Sequence, residues 1–409
     1  MMKNKSFYCL FAILVISTSS FAFSEETPQL IYYDYAELVK IKTRIKAGDA
    51  SSKAAYVGLL KQADKWLSVE PEKVTDGDVP PSGDKHDFFA IGKLAFPNPK
   101  TADGMPYVRR DGVTNPEADG PKYDLSRYNS TLTRVNQLSL AWFFTGQEKY
   151  AKKASQLLQV WFLDPETRMN PNLKNASALP GVYDGMPIGI IFSVALIKTV
   201  DHVKLLSLSE SWTEKDDIKL KDWFRDYTTW LLESDMGKKE GLGNNNHGSW
   251  YTAQVMAFSL YSGDTERAKS LIGLAKKQID QQITEIGIMP RELTRQRSLH
   301  YSIYGLQAFV TVARCADYLG EDLWHYQTAD GRGLQLAFSF LSPYLLGNKE
   351  WTWTNIEKGK TPDNALDVFR WAEKKYDNPE FKETSRHLYQ IAPAASVTAH
   401  LTTENKTSK

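Results

Sequence analysis

The sequence predicts an all-α fold: an α/α toroid, or incomplete α/α barrel, of about a dozen helices in antiparallel hairpins, with long loops over a central cleft. Three observations support this prediction. Apolar residues recur at spacings of three and four along most of the chain, strand patterns are nearly absent, and no fixed-length repeat of an open solenoid is present. A closed toroid is therefore favoured over a solenoid.

The predicted helices follow one another along the chain. In the first half the helical period runs through YAELVKIKTRIKAG, AYVGLLKQADKWLSVE, LTRVNQLSLAWFFTG, EKYAKKASQLLQVWF, IGIIFSVALIKTVDHVKLL and DIKLKDWFRDYTTWLLES. In the second half it runs through WYTAQVMAFSLYSG, TERAKSLIGLAKKQIDQQI, SLHYSIYGLQAFVTVARCADYLG, GLQLAFSFLSPYLLG, ALDVFRWAEKKY and EFKETSRHLYQIA. Short glycine-containing breaks such as FTGQEKY and YSGDTER end one helix and start the next, which makes consecutive helices antiparallel neighbours.

Two long irregular segments interrupt the helices, at residues 73–122 and 164–187. Loops of this length in a compact domain are usually functional or disordered. Their aromatic and amide side chains favour function, so we expect them to border the cleft.

The two ends of the chain are expected to differ from the body. Residues 1–22 have the lysines, apolar run and small residues of a secretory signal peptide, which predicts export to the periplasm or the medium and no membrane association after cleavage. Residues 23–395 are expected to form a single catalytic domain and residues 396–409 a disordered tail. The remaining cysteine, Cys315, lies in a helical pattern and is expected in the core.

The charge balance argues against nucleic acid as a partner. Loss of Lys3 and Lys5 with the leader leaves 48 basic and 49 acidic residues, whereas nucleic-acid binders carry a strong basic excess. No cofactor is expected, and none of the seven histidines has the His-x-x-x-His spacing of a helical zinc site. The sequence does not indicate an oligomeric state.

The first candidate site is the segment GLGNNNHGSWY. Asn244 or Asn245 can cap the helix that follows, which explains one of the three amides. That role does not explain Asn246 and His247 together.

The second candidate site is MPRELTRQRSLHYSIYGLQAF. On a helix, Arg297, Tyr301 and Tyr304 lie opposite an apolar stripe that begins at Leu299 and Ile303. An arginine offers a planar fork to a carboxylate, and its positive charge favours the phenolate of a neighbouring tyrosine. The pattern is typical of a site that binds a carboxylate and moves a proton beside it.

The chain resembles the alginate lyase family of polysaccharide lyases, helical toroid enzymes that cleave uronic-acid polymers by β-elimination. The resemblance rests on RYNSTLTRVNQLSLAWFFTGQEKYAKKASQLLQVWFLDPETRMNPNLKNA, NNNHGSWYTAQVMAFSLYSGD and PRELTRQRSLHYSIYGL. These motifs occur in order between about Tyr107 and Phe309, roughly half the chain. The resemblance implies an acidic polysaccharide as substrate and a site that neutralises or hydrogen-bonds the uronate carboxylate.

The resemblance also implies the catalytic residues. The family's Asn-His pair matches Asn246 and His247, and its Arg-Tyr helix matches either Arg295 with Tyr301 or Arg297 with Tyr304. We expect Tyr301 to transfer the proton and keep Tyr304 as the alternative. His247 would take the C5 proton of the opposite sugar configuration, while Asn246 and an arginine neutralise the carboxylate.

Further residues are candidates for substrate binding because they combine positive charge, amides or aromatic rings with positions in the loops or beside the histidine turn. They are Tyr107, Arg109, Arg110, Lys174, Asn175, Trp250 and Trp353.

Two other functions compete with the lyase. A glycoside hydrolase on the same toroid needs two carboxylic acids, for which Asp184 and Glu292 are the candidates, although Glu292 has a simpler role in holding the neighbouring arginines. An exported sugar-binding protein without catalysis needs aromatic platforms but no His247 with an Arg-Tyr helix. The uronan itself, whether mannuronate, guluronate or glucuronate, is left open by the sequence.

Overall fold

The computed structural model describes residues 28–403. Helices make up most of this part of the chain, and neighbouring helices pack against one another in the predicted α/α toroid. The predicted leader, residues 1–22, lies outside the described residues, so export stays a prediction.

The described part of the first half, from residue 28 onward, contributes seven α-helices. Asp34 caps the first, and Thr213 with Asp216 forms a reciprocal capping box at the start of the sixth. Gly146, in the left-handed conformation, ends the third helix and sends the chain back along it as the fourth. The helices are α1 Tyr35–Lys46, α2 Ala50–Trp66, α3 Leu125–Thr145, α4 Glu148–Leu158, α5 Leu196–Leu206, α6 Glu214–Glu233 and α7 Asp235–Gly241.

The second half contributes the remaining helices. Two of them, α8 and α12, pack against each other in the middle of the fold, and both bury most of their length. The helices are α8 Asn246–Ser262, α9 Thr265–Ser270, α10 Ile272–Gln282, α11 Pro290–Leu293, α12 Ser298–Tyr318, α13 Leu334–Leu345, α14 Ala365–Lys375, α15 Pro379–Ile391 and α16 Val397–Leu401. Short 3-10 turns at Val74–Asp76, Pro116–Asp119 and Pro187–Ser193 and a π-helical turn at Gln159–Leu163 complete the helical structure.

The two long segments carry the four short strands of the described chain. Strand β1, Phe89–Ile91, runs parallel to β4, Asn175–Ala178, and so joins one long segment to the other. Strand β2, Ala95–Phe96, pairs antiparallel with β3, Val108–Arg109. The segments are therefore ordered and tied together beside the helices.

The C-terminal region differs from the expectation. Residues 396–403 were expected in a disordered tail, but α16 forms there and buries Ala399 and Leu401. The buried guanidinium of Arg370 donates a hydrogen bond to the carbonyl of Thr402, which fixes the segment against α14. Cys315 is fully buried, as predicted. Within residues 28–403, no helix is both long and apolar enough to span a bilayer.

Candidate active site

A cleft of about 1050 Å³ lies at the N-terminal ends of α8 and α12, and residues of both long segments also line it. It brings together all the predicted catalytic residues and one predicted binding residue. They are Asn246, His247, Arg295, Arg297, Tyr301, Tyr304 and Arg109.

The turn before α8 explains the asparagine-rich segment. The side chain of Asn245 caps α8 by accepting a hydrogen bond from the backbone N–H of His247. The chain also folds back on itself here, because a Cβ on Gly248 would lie 1.9 Å from the carbonyl oxygen of Gly243. Capping and close packing thus fix the backbone that presents the next two side chains to the cleft.

Asn246 is held by a buried carboxylate. Its backbone N–H and its side-chain amide donate to the two oxygens of Glu292 at 2.7 and 2.8 Å. Burial raises the pKa of Glu292, and the two donated hydrogen bonds and the positive charge of Arg295 oppose that rise. Glu292 was expected to hold the arginines; it holds Asn246 instead.

His247 is oriented by a second buried carboxylate. Its Nδ1 lies 2.6 Å from an oxygen of Glu240, near the end of α7. Because a carboxylate accepts rather than donates, Nδ1 carries a proton in this contact, and the ring orientation is fixed by Glu240.

Arg295 and Tyr301, one of the two arginine–tyrosine pairs that the family resemblance implied, lie in contact. The guanidinium Nη2 donates to the Tyr301 hydroxyl at 3.1 Å, and its Cζ lies 3.9 Å from the centre of the tyrosine ring. The same nitrogen lies 3.5 Å from Asp111 on the first long segment. The arginine is thus shared between the tyrosine and a loop carboxylate.

Tyr304 lies in a different environment. Its ring packs between Trp250, at a centroid distance of 5.0 Å, and His300, at 5.9 Å and nearly parallel. Burial, followed by Tyr301 and Glu292, raises the pKa of Tyr304. Of the two tyrosines, Tyr301 has the arginine partner.

Arg297 belongs to both the cleft and a smaller adjoining cavity of about 390 Å³. Its Nε donates to Glu357 at 2.8 Å, and this ion pair keeps the pKa of Glu357 below its usual value. His300 and Tyr304 also line both spaces. Burial lowers the pKa of His300, so it is a neutral, polar part of the wall between them.

Of the three predicted binding residues in the first long segment, Arg109 lines the cleft, and Tyr107 and Arg110 do not. Tyr107 donates its hydroxyl to Glu117 at 2.9 Å, and the Arg110 guanidinium lies over the ring of Phe96 at 5.0 Å. Both side chains lie outside the residues that line the cleft.

The other predicted binding residues also lie outside the cleft lining. Lys174 pairs with the buried Asp87 at 2.6 Å, and Asn175 is buried in β4. Trp250 is 2% exposed, which corrects its assignment as a stacking platform, since it packs beneath Tyr304. Trp353, in the segment that follows α13, packs in an aromatic cluster with Trp351 and Phe340.

Several residues of the site were not predicted from the sequence. Glu240 lies seven residues before His247 on a short helix, and only the fold shows that the two meet. His300 precedes Tyr301 in the sequence and could have been included on that ground. Asn129 of α3 and Ser177 of β4 also line the cleft. Asn129 lies within the first family motif but was not singled out, and Ser177 directly follows that motif.

The carboxylates needed by a hydrolase are not paired across the cleft. Asp184 is exposed and outside the cleft lining, while both oxygens of Glu292 accept hydrogen bonds from Asn246. Across residues 28–403, no group of three or more His, Cys, Asp or Glu side chains is arranged to hold a metal ion.

Comparison with known proteins identifies relatives of this chain. The family model described as alginate lyase matches residues 74–351. An alginate lyase from Bacteroides ovatus is 32% identical, and the match covers 92% of this chain and 100% of that chain with a TM-score of 0.87. No curated protein matches significantly.

More distant structures share the fold. Alginate lyase A1-III from Sphingomonas species A1 is 17% identical over 88% of this chain and 93% of that chain, with a TM-score of 0.52. A tyrosine-to-phenylalanine variant of alginate lyase A1-III, in complex with a tetrasaccharide, is 18% identical over 87% and 89%, with a TM-score of 0.51. Because the family model covers more than half of the sequence and the Bacteroides enzyme matches nearly all of it, this chain belongs to the alginate lyase family and is a polysaccharide lyase.

Proposed function

We propose that the protein cleaves a uronic-acid polymer by β-elimination, with Tyr301 as the main proton-transfer group. The observation that carries the proposal is the hydrogen bond from Arg295 to the Tyr301 hydroxyl, in the same cleft as Asn246 and His247. A tyrosine beside a guanidinium can lose its proton, act as a base and then return a proton as an acid.

The first requirement of the reaction is a neutralised carboxylate. The C5 hydrogen of a uronate is only weakly acidic, and its removal builds negative charge on the neighbouring carboxylate. Glu292 uses one amide N–H of Asn246 and leaves the second for the substrate. Together with an arginine of the cleft, Arg295 or Arg297, this amide would stabilise the developing charge.

The second requirement is a base on the correct face of the sugar. Tyr301 would remove the C5 proton of one configuration, and the Nε2 lone pair of His247 that of the opposite configuration. The C5–H bond breaks, a C4=C5 double bond forms, and the C4–O bond to the neighbouring sugar breaks. Tyr301 would then protonate the departing glycosidic oxygen.

The substrate class follows from the carboxylate-binding groups. Relatives named as alginate lyases support alginate, a polymer of mannuronate and guluronate, and the same carboxylate chemistry admits glucuronan. We therefore propose polymannuronate, polyguluronate or glucuronan as substrate, to be distinguished by experiment.

The deciding experiment follows the ultraviolet absorbance of the unsaturated product on each of these three polymers. We expect a rise on at least one polymer, abolished in Tyr301→Phe and retained in Tyr304→Phe. Abolition only in Tyr304→Phe would transfer the role to that tyrosine.

The same assay separates the competing functions. New reducing ends without a rise in absorbance would indicate hydrolysis of the polymer instead of β-elimination. Binding without either product would leave a polysaccharide-binding protein.

A further inference from the structure

Ser177 has an unusual backbone conformation at the cleft. Among residues 28–403 it is the only non-glycine residue with positive φ, at 55°. It lies in β4, where the pairing with β1 shifts register between Phe89 and Ile91. Residues with a Cβ are disfavoured in this region, and such irregular strand positions often turn a side chain toward a functional site.

Glycines on the neighbouring turn hold this strand in place. A Cβ on Gly185 would lie 2.0 Å from the carbonyl oxygen of Lys174, and one on Gly189 would lie 2.6 Å from the backbone of Ala176. The packing therefore fixes the backbone on either side of Ser177. A disfavoured conformation that the surrounding structure maintains in this way is a reason to look for function.

The Ser177 hydroxyl faces the cleft without a hydrogen-bond partner among residues 28–403. The residue is only 3% exposed and lines the cleft. On the opposite side, a Cβ on Gly92 would lie 3.1 Å from the Ser177 oxygen, so the glycine leaves the space that the hydroxyl needs. The hydroxyl oxygen is not one of the fully buried, unpartnered polar atoms of residues 28–403, so it opens to the cleft, where a ligand or water can bind it.

We propose that Ser177 is a substrate-binding residue whose hydroxyl exchanges a hydrogen bond with a sugar hydroxyl of the bound uronan. This inference rests on the proposed function. The carboxylates of the polymer have cationic partners in the same cleft, Arg109 and Lys93 on the loops and Arg295 by α12. A neutral hydroxyl both donates and accepts, which suits a sugar hydroxyl and holds the ring against the helices.

Two substitutions test the proposal, because they treat the backbone differently. Ser177→Ala removes the hydroxyl and keeps a Cβ at the disfavoured positive φ. Ser177→Gly removes both the hydroxyl and the Cβ, so the positive φ is no longer disfavoured. We expect KM to rise roughly three- to tenfold in both variants, the effect of one neutral hydrogen bond, with kcat within about twofold. Ser177→Gly should unfold at a temperature at least as high as Ser177→Ala. Ser130→Ala, one residue beyond Asn129 on α3 and outside the cleft lining, is the matched control.

Two results would overturn the proposal. KM unchanged in both variants would mean that the hydroxyl does not meet the substrate. KM raised in Ser177→Ala but normal in Ser177→Gly would assign the effect to the backbone.

A binding measurement separates this failure from failure of the proposed function. Calorimetry with a mannuronate, guluronate or glucuronate oligosaccharide, performed on Tyr301→Phe with and without Ser177→Ala, requires no turnover. Weaker binding on loss of the hydroxyl supports Ser177 even if no product forms. Equal binding, or no binding by Tyr301→Phe, overturns the inference.

Discussion

The two walls of the cleft are held in different ways. On the helix wall, at the starts of α8 and α12, Asn246 and His247 are each fixed by a buried carboxylate behind them, Glu292 and Glu240. On the loop wall, formed by the two long segments, Arg109 is exposed, and Ser177 has no protein partner.

This difference indicates that the two walls have different roles, catalysis on the helix wall and polymer binding on the loop wall. Proton transfer and charge stabilisation need side chains held within narrow limits, which buried carboxylates on helices provide. Recognition of a polymer tolerates adjustable contacts from loops. Substitutions behind the helix wall should therefore reduce turnover, and substitutions on the loop wall should mainly change KM.

The largest effect is expected from Glu292→Ala. Without the carboxylate, two N–H donors of Asn246 lose their partner, and the amide is no longer aimed at the substrate. We expect kcat to fall roughly 10²- to 10³-fold, as for the loss of one charge-stabilising donor, and the free energy of unfolding to fall by about 1–3 kcal/mol. Kinetics and chemical denaturation measure the two effects.

The matched control is Glu285→Ala, which removes an exposed glutamate close by in the sequence. It should leave both quantities unchanged. A Glu292→Ala enzyme with normal kcat would refute the idea that the helix wall depends on its buried carboxylates.

A smaller and more selective effect is expected from Glu240→Ala. Loss of the carboxylate frees the His247 ring and no longer places the proton on Nδ1. Activity should fall roughly ten- to a hundredfold on the polymer whose C5 proton His247 removes, and much less on the polymer that Tyr301 deprotonates. The ratio of the rates on polymannuronate and polyguluronate measures this selectivity.

Glu240→Gln provides the comparison, because its amide oxygen still accepts from Nδ1. It should retain most of the activity. Equal losses on both polymers would show that His247 has a general role rather than one tied to sugar configuration.

The residues of the helix wall were easier to predict from the sequence than those of the loop wall. Helical spacing placed Tyr301 and Tyr304 on one face, and the family motifs added Asn246 and His247. The partner Glu240 was not predicted, because a contact between two helices leaves no periodic signal. The choice between the tyrosines needed Arg295, whose approach to Tyr301 depends on how the chain turns between α11 and α12.

The loop wall was predicted less well for a physical reason. Residue type alone suggested Tyr107 and Lys174, but their polar groups are satisfied by Glu117 and Asp87 inside the loops. Such contacts depend on the path of an irregular loop, and a loop lacks the periodic residue spacing from which side-chain directions on a helix are predicted. Trp250 was a different error, since α8 is buried on nearly every side and its large rings belong to the core.

The pH dependence should separate turnover from stability on the helix wall. Burial raises the pKa of Glu292, so it takes up a proton at a higher pH than an ordinary glutamate. Protonation removes an acceptor from Asn246, and kcat should decline on the acid side by at most about tenfold per pH unit. The folded form binds this proton more tightly than the unfolded chain, so Glu292 contributes stability at low pH and loses it as pH rises through its raised pKa.

Acid should therefore lower activity even though protonation of Glu292 itself favours the folded state. The measurement is kcat and the unfolding midpoint at matched pH values. Glu292→Gln cannot ionise, and its activity should lose this part of the acid dependence. An unchanged acid limb in Glu292→Gln would assign the titration to another group.

The smallest effect is expected on the loop wall, from Arg109→Ala. Arg109 is exposed, so its attraction to the polymer is weakened by water and screened by salt. We expect KM to rise roughly two- to fivefold at low ionic strength and the difference to shrink as salt is added, with kcat unchanged. Arg110→Ala is the neighbouring control, because its guanidinium lies over Phe96 and outside the cleft lining. Equal changes in KM for both variants would indicate a diffuse positive field, whereas a fall in kcat for Arg109→Ala would place catalytic positioning on the loop wall as well.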